Sequence, residues 1–210
     1  MRETEDAPGS ELGIIISFEG IDASGKNTQS RLLYDWLNTR FHAKAEYLSF
    51  PDYSTSTGQE IRNFLHGKRE YNLEARHLLY SANRYELKET IEKWLYEKKI
   101  IVINRYCESN LAYGAANGLP LSWLEQVESR MPQANYIVYL MIAPEISRTR
   151  RTNRDRYEED SAFLKRVSDI YDALAIPRKW ITATADRPRE IVHREIISKL
   201  TSLVPRLSAE

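Results

Sequence analysis

Gly20, Gly25 and Lys26 stand in the spacing G-x-x-x-x-G-K, and that spacing suits a polyphosphate. Its glycines let backbone N–H groups turn inward on phosphate oxygens, while the lysine ammonium supplies a point charge to the β- and γ-phosphates. The loop Gly20-Ile21-Asp22-Ala23-Ser24-Gly25-Lys26-Asn27-Thr28 is therefore the candidate triphosphate site. Short Gly-Lys patterns arise by chance, so the setting decides. An apolar run over 14–18 leads into the loop, and a helix striped by Leu32, Leu33, Trp36 and Leu37 is expected over 26–40. The N-terminus of that helix adds its positive dipole end. Where this pattern usually carries the Ser or Thr that ligates magnesium, the chain has Asn27, with Thr28 next to it. An amide oxygen, Thr28 or bridging water are the alternatives for an ion that keeps several waters.

Such a loop needs a scaffold, and 210 residues suffice for one α/β domain with a single core. Thirty basic and thirty acidic side chains cancel, which argues against a nucleic-acid surface or a membrane-adsorbing face and for small-molecule partners. One cysteine, Cys107, cannot form an internal disulfide, and with no histidine near it in sequence it reads as a small core residue. With no signal-like or membrane-spanning apolar run, a soluble cytoplasmic protein is expected. Residues 1–12 read as a weakly ordered polar leader and 13–207 as a single domain.

Apolar strand candidates at 14–18, 46–50, 100–104, 136–142 and 180–183 alternate with helical patterns. That alternation predicts an α/β fold, a five-stranded parallel sheet flanked by helices. A long helix is expected over 72–98, and the densely charged stretch 148–160 reads as a lid. After the last strand, Asp186-Arg187-Pro188 leads into a final helix with Pro188 as its first residue.

Ligands gather at the carboxyl ends of parallel strands, so the segments there are informative. Phe50-Pro51-Asp52-Tyr53 follows the second strand and Asn104-Arg105-Tyr106 the third; His77, Tyr80 and Arg84 share one helix face. Taken singly, Tyr80 and Arg84 would read as a core aromatic and a solvated charge. Their surroundings say otherwise. Phe18-Glu19-Gly20-Ile21-Asp22 with Gly25-Lys26, Phe50-Pro51, Leu79-Tyr80-Ser81-Ala82-Asn83-Arg84-Tyr85, Arg105-Tyr106 with Ser109-Asn110 and Ala112-Tyr113, and Asp155-Arg156-Tyr157-Glu158 together resemble the thymidylate kinases, which are P-loop nucleoside-monophosphate kinases.

The resemblance covers nearly the whole domain and implies a P-loop kinase fold with a lid. It implies transfer of the γ-phosphate of ATP to dTMP with Mg²⁺, giving dTDP and ADP for dTTP synthesis, in a homodimer packed through helices. By resemblance, Tyr80 stacks on thymine, Arg84 bonds its O4 and Asn110 touches its polar edge. Tyr113 lies under the sugar, Asp22 accepts from the 3′-hydroxyl, and Phe50 and Pro51 wall the 5-methyl side. A donor-only guanidinium suits a thymine or uracil carbonyl and opposes the amino group of cytosine. Arg105 resembles the arginine that holds the acceptor phosphate, with Tyr53 donating to it where some relatives place an arginine. The family usually has Asp before that arginine, and this chain has Asn104, a second magnesium position, through water, beside Asn27. Either Asp22 and water carry the ion, or activity is lower or tuned to another acceptor.

Phosphoryl transfer to a phosphate oxygen needs positioning and charge neutralisation more than a base, so Lys26 and the arginines are the catalytic candidates. Ala23 stands where some relatives have a loop arginine, which leaves the lid to supply one: Arg150, Arg151, Arg154 or Arg156, with Arg151 and Arg154 favoured. Adenine is expected near Arg150 and Ala185-Asp186-Arg187. Two rivals stay open: a kinase of another nucleotide or deoxynucleoside, and a nucleotide-binding protein that has lost catalysis. A GTPase is disfavoured, since no Asn-Lys-x-Asp motif occurs.

Overall fold

The structure is a computed structural model and describes residues 12–41, 45–150, 161–204 and 207. Five strands, β1 (Ile14–Glu19), β2 (Ala45–Ser49), β3 (Ile100–Asn104), β4 (Tyr136–Met141) and β5 (Ile181–Thr184), form one sheet in the order β2-β3-β1-β4-β5. Every neighbouring pair is parallel, with Ile16 facing Val102 on one side and Tyr136 on the other. The all-parallel sheet explains why the inner strands β1 and β3 read as apolar runs, being covered on both faces, while the edge strands β2 and β5 keep polar residues and partial exposure. Along β1, Ile16 and Phe18 enter one core cluster and Ile15 the other, the period of two sending alternate side chains to opposite faces.

The helices are α1 (Lys26–Phe41), α2 (Ser56–Leu65), α3 (Leu73–Tyr85), α4 (Lys88–Tyr96), α5 (Cys107–Ala116), α6 (Leu121–Glu128), α7 (Pro144–Thr149), α8 (Ser161–Ala175) and α9 (Arg189–Leu203). The helix expected over 72–98 is two helices, α3 and α4, broken at Glu86 and Leu87. No glycine or proline marks that break. Tertiary contacts impose it: the Glu86 carboxylate accepts from Thr57 Oγ1 at 2.6 Å, and Leu87 packs against the core around Ile91. Pro188 caps α9 from one position before the helix rather than opening it, and β5 begins at Ile181 rather than at Trp180, which is buried all the same.

Short polar bonds set the elements around the site. The α3 N-cap, Asn72, accepts from Ala75 N–H at 2.8 Å, and Thr55 caps α2 by accepting from Gly58 N–H at 3.1 Å. Asn83 of α3 donates to Asp52 O at 3.1 Å and receives Asp52 N–H at 2.8 Å. It thereby latches the Phe50–Tyr53 segment to the helix that carries Tyr80 and Arg84.

Candidate active site

The phosphate loop leaves β1 through Gly20, whose φ is +141° and whose added Cβ would lie 2.7 Å from Leu140 O. Only glycine fits both restrictions. Gly25 (φ +94°) directly precedes Lys26, the first residue of α1, so the helix N-terminus borders the loop. Lys26 is 5% exposed and donates to Ile21 O at 2.6 Å, which holds its ammonium across the loop. From the far side, Ser147 of α7 donates to Asp22 O at 2.7 Å. A cavity of about 370 Å³ runs along this loop, lined by Asp22, Ala23, Gly25, Lys26, Asn27 and Thr28 and closed by Asn104, Arg105 and Arg150. Arg150 donates to Ala185 O at 2.8 Å, joining the start of the charged stretch to the segment after β5. Arg187, farther out, donates to Thr184 O and pairs with Glu195. Arg151, Arg154 and Arg156, with most of the expected lid and leader, lie outside the described residues.

A second cavity, about 320 Å³, opens beside the first. Asp22, Phe50, Pro51, Tyr53, Tyr80, Arg84, Arg105, Asn110 and Tyr113 all line it, joined by Ser49, Leu65, His77, Asn104, Ser109 and Asn117. Asp22, Asn104 and Arg105 line both cavities and mark their junction. Asn104 donates to Ser49 Oγ at 2.9 Å, while its Oδ1 is buried without a hydrogen-bond partner. Asn27 is exposed, and its Oδ1 accepts from Arg31 Nε and from Tyr47 OH, each at 3.2 Å.

Arg105 sits at φ +62°, a left-handed conformation that costs a residue with a Cβ roughly 1–2 kcal/mol. Its surroundings hold it there. Its N–H donates to Phe18 O at 3.0 Å, and the next N–H, that of Tyr106, donates to Glu19 Oε1 at 2.6 Å. The guanidinium pairs with the Asp22 carboxylate and lies 5.3 Å from the centre of the Tyr113 ring, whose hydroxyl donates to Asp22 Oδ2 at 3.1 Å.

Glu19 is fully buried at the end of β1 and also accepts from Ser109 Oγ at 2.6 Å and Tyr171 OH at 3.0 Å. Nearby Glu108 has no such set: its Oε2 is buried without a partner, and burial, reinforced by the Glu19 charge, pushes its pKa up to about 8. A carboxyl that ionises near 4.5 when unfolded but near 8 when folded binds the proton more tightly in the native state. Stability is then lost as pH rises across that window. Glu108→Gln is therefore expected to gain on the wild type between pH 5 and pH 8, as read by melting temperature; a gap constant with pH refutes this. Burial pushes the Cys107 thiol up as well, which leaves it protonated and inert.

At the other end of the second cavity Arg84, 3% exposed, forms a buried ion pair with Glu128 of α6, Nε to Oε2 at 3.0 Å. Burial pushes the Glu128 carboxyl up, but the Arg84 charge and bonds from Arg84, Ser81 and Asn110 outweigh it and hold the group below the ordinary range. His77 contacts Asn110 Oδ1 through Nδ1 at 2.6 Å, and burial pushes its pKa down to about 4, so the ring is neutral. Tyr80 stands 6.0 Å from that ring, on the cavity wall. Glu128 escapes a sequence reading because nothing in its own stretch marks it. Glu19 carried a signal, being an acid at the end of an apolar strand.

A triphosphate loop after the first strand of a parallel sheet, meeting an arginine-walled cavity for a second ligand, defines a P-loop phosphotransferase with a phosphate-bearing acceptor. The sequence profile of the thymidylate kinases matches residues 18–196, and the chain belongs to the thymidylate kinase family. It is 33% identical over 187 residues to the thymidylate kinase of Dictyostelium discoideum, covering 89% of this chain and 84% of that one. Against the Schizosaccharomyces pombe thymidylate kinase identity is 32% over 196 residues, with 91% and 93% covered. The human thymidylate kinase is 31% identical over 188 residues, with 88% of each chain covered. In fold the chain is similar to the solved thymidylate kinase of Candida albicans, with a TM-score of 0.80 at 24% identity over 91% of this chain and 92% of that one.

Proposed function

We propose that this protein transfers the γ-phosphate of ATP to dTMP, giving ADP and dTDP on the way to dTTP. The observation that carries this reading is the junction: Asp22, Asn104 and Arg105 line the triphosphate cavity and the acceptor cavity alike, so two bound phosphates would face each other there. A dTMP phosphate oxygen attacks the γ-phosphorus while the bond to the β–γ bridging oxygen breaks toward ADP. No proton need be removed from the nucleophile. Lys26 and the loop N–H groups hold the β- and γ-phosphates, and the Arg105 fork holds the acceptor phosphate, displacing the Asp22 carboxylate. Asp22 is then free to accept from the 3′-hydroxyl. Tyr113 sits below the sugar, Tyr80 stacks on the base, Phe50 and Pro51 wall the 5-methyl side, Tyr53 adds a donor, and Arg84 and Asn110 read O4 and N3.

Adenine is placed near Arg150 and the Ala185-Asp186-Arg187 segment, and Arg151 or Arg154 closes over the migrating group. A cytoplasmic homodimer packed through helices is part of the same proposal. Among the described residues no helix is long and apolar enough to cross a membrane.

Magnesium fits oxygen donors, and the buried, unpartnered Oδ1 of Asn104 together with Asp22 would hold part of its water shell. Asn27 would have to release Arg31 or Tyr47 to join them. Among the described residues no group of three or more His, Cys, Asp or Glu converges on a metal position; an ion held here would take oxygen ligands from nucleotide phosphates and water as well. When bound, the ion neutralises charge on the β- and γ-oxygens.

ADP release with ATP, magnesium and a panel of dTMP, dUMP, dCMP, UMP, AMP and thymidine tests the reading, which requires turnover led by dTMP. The neutral Asn104 and Asn27 support one second reading, a nucleotide-binding protein with weakened catalysis. Asn104→Asp is expected to lower the magnesium concentration for half-maximal rate by about tenfold, since a carboxylate binds a hydrated dication better than an amide. If Asn104→Asp combined with Asn27→Thr creates activity in an inactive wild type, the second reading replaces the first.

A further inference from the structure

The proposed thymine readers, Arg84 and Asn110, share a partner that does not itself line the cavity: Glu128, the last residue of α6. Its Oε2 accepts from Arg84 Nε at 3.0 Å, and its Oε1 accepts from Arg84 Nη2 and from Asn110 Nδ2, the latter at 2.7 Å. Ser81 Oγ donates to the same Oε1. An ionised carboxylate only accepts. The Asn110 group turned toward Glu128 is therefore its NH₂, which places the amide oxygen on the opposite side, against His77 Nδ1 at 2.6 Å. There Nδ1–H of the neutral imidazole donates, and Oδ1 keeps its second lone pair for a ligand.

Arg84 is restricted in the same way. With Nε and Nη2 given to Glu128 and Ser81, the amino group Nη1 is left for the cavity. One wall thus presents a donor, Arg84, beside an acceptor, Asn110. That order matches the O4 acceptor and N3–H donor of thymine and is reversed for cytosine, which has an amino group at C4 and an unprotonated N3.

We infer that Glu128 is a specificity-determining positioning residue that sets the donor–acceptor polarity of the Arg84–Asn110 pair, by accepting from both and donating to neither. This rests on the reading of the cavity as a dTMP site. A glutamine at 128 donates as readily as it accepts, so Asn110 is no longer held in one orientation.

The test is Glu128→Gln, with kcat and KM measured for dTMP and dCMP and KM for ATP as the check on folding. The ratio of kcat/KM for dTMP to that for dCMP is expected to fall by about tenfold or more, with KM for ATP within about twofold of wild type. A purely structural lesion lowers both acceptors together and leaves the ratio alone; a preserved ratio overturns the inference. Because the variant leaves the buried Arg84 charge without its carboxylate, a second measurement uses the unmodified protein labelled with ¹⁵N-asparagine. The Asn110 side-chain NH₂ protons should exchange slowly with and without dTMP; rapid exchange, or reorientation on dTMP binding, also overturns it. A wild type that does not distinguish dTMP from dCMP defeats the dTMP reading itself. A wild type that does, alongside a variant that does equally well, defeats the role of Glu128 alone.

Discussion

Arg105→Ala is expected to lower kcat/KM for dTMP by about 10³-fold, the order an arginine contributes when it neutralises charge in phosphoryl transfer. KM for ATP should move by less than about threefold, because the triphosphate is held mainly by the loop and Lys26. The substitution isolates the guanidinium. Alanine meets the same penalty as arginine at φ +62°, and the backbone bonds from residue 105 to Phe18 O and from Tyr106 to Glu19 are untouched. Arg105→Lys keeps the charge but loses the fork that spans two phosphate oxygens, and should recover no more than about a tenth of the lost rate. Steady-state kinetics with each nucleotide varied separately checks both variants. A loss below tenfold in Arg105→Ala would mean that another cation holds the acceptor phosphate.

The parts of this site visible in the sequence were those carried by local geometry. Gly20, Gly25 and Lys26 announce the loop because a backbone that wraps phosphate needs glycine conformations at fixed offsets. The runs of β1 and β3 announce the sheet most clearly because strands buried on both faces have no polar side to break the pattern, whereas the edge strands β2 and β5 carry polar residues. Tyr80 and Arg84 gained meaning only from the surrounding string, and resemblance brought them to the cavity that Phe50 and Arg105 also line.

What stayed hidden depends on contacts distant in sequence. The break between α3 and α4 comes from Thr57 holding Glu86, 29 positions away, and no period within the helix reports it. Glu128 lies 44 residues beyond Arg84, at the end of a short helix that no capping side chain announces. The pairing of Asp22 with Arg105 spans 83 residues, and neither residue's own stretch announces the other as its partner. In the sequence Glu19 is only part of the Phe18–Asp22 string, and its task of ordering Tyr106, Ser109 and Tyr171 is legible only once the sheet brings β1 beside β3.

Arg84→Met is expected to cost about 3–5 kcal/mol of folding stability, because it leaves the Glu128 carboxylate buried with no opposing charge. Both partners are 4% exposed at the side chain, so solvent screens the pair little. The size of the loss belongs to the stranded charge rather than to the pair's net value, since two desolvation costs offset much of the attraction in any buried pair. Arg84→Met combined with Glu128→Met should accordingly regain most of the loss, though without the donor to O4 it should bind dTMP poorly. The pH dependence separates this account from simple loss of packing. With Arg84 gone, burial is the dominant influence on Glu128 and raises its pKa, so acid relieves the strain by protonating it. The single variant should therefore lose less, relative to wild type, at pH 5 than at pH 8. Denaturant unfolding of the wild type, both single variants and the double variant at the two pH values closes the cycle. A double variant no more stable than Arg84→Met, or a loss that does not change with pH, would assign the cost to lost methylene packing around Arg84 instead of to charge.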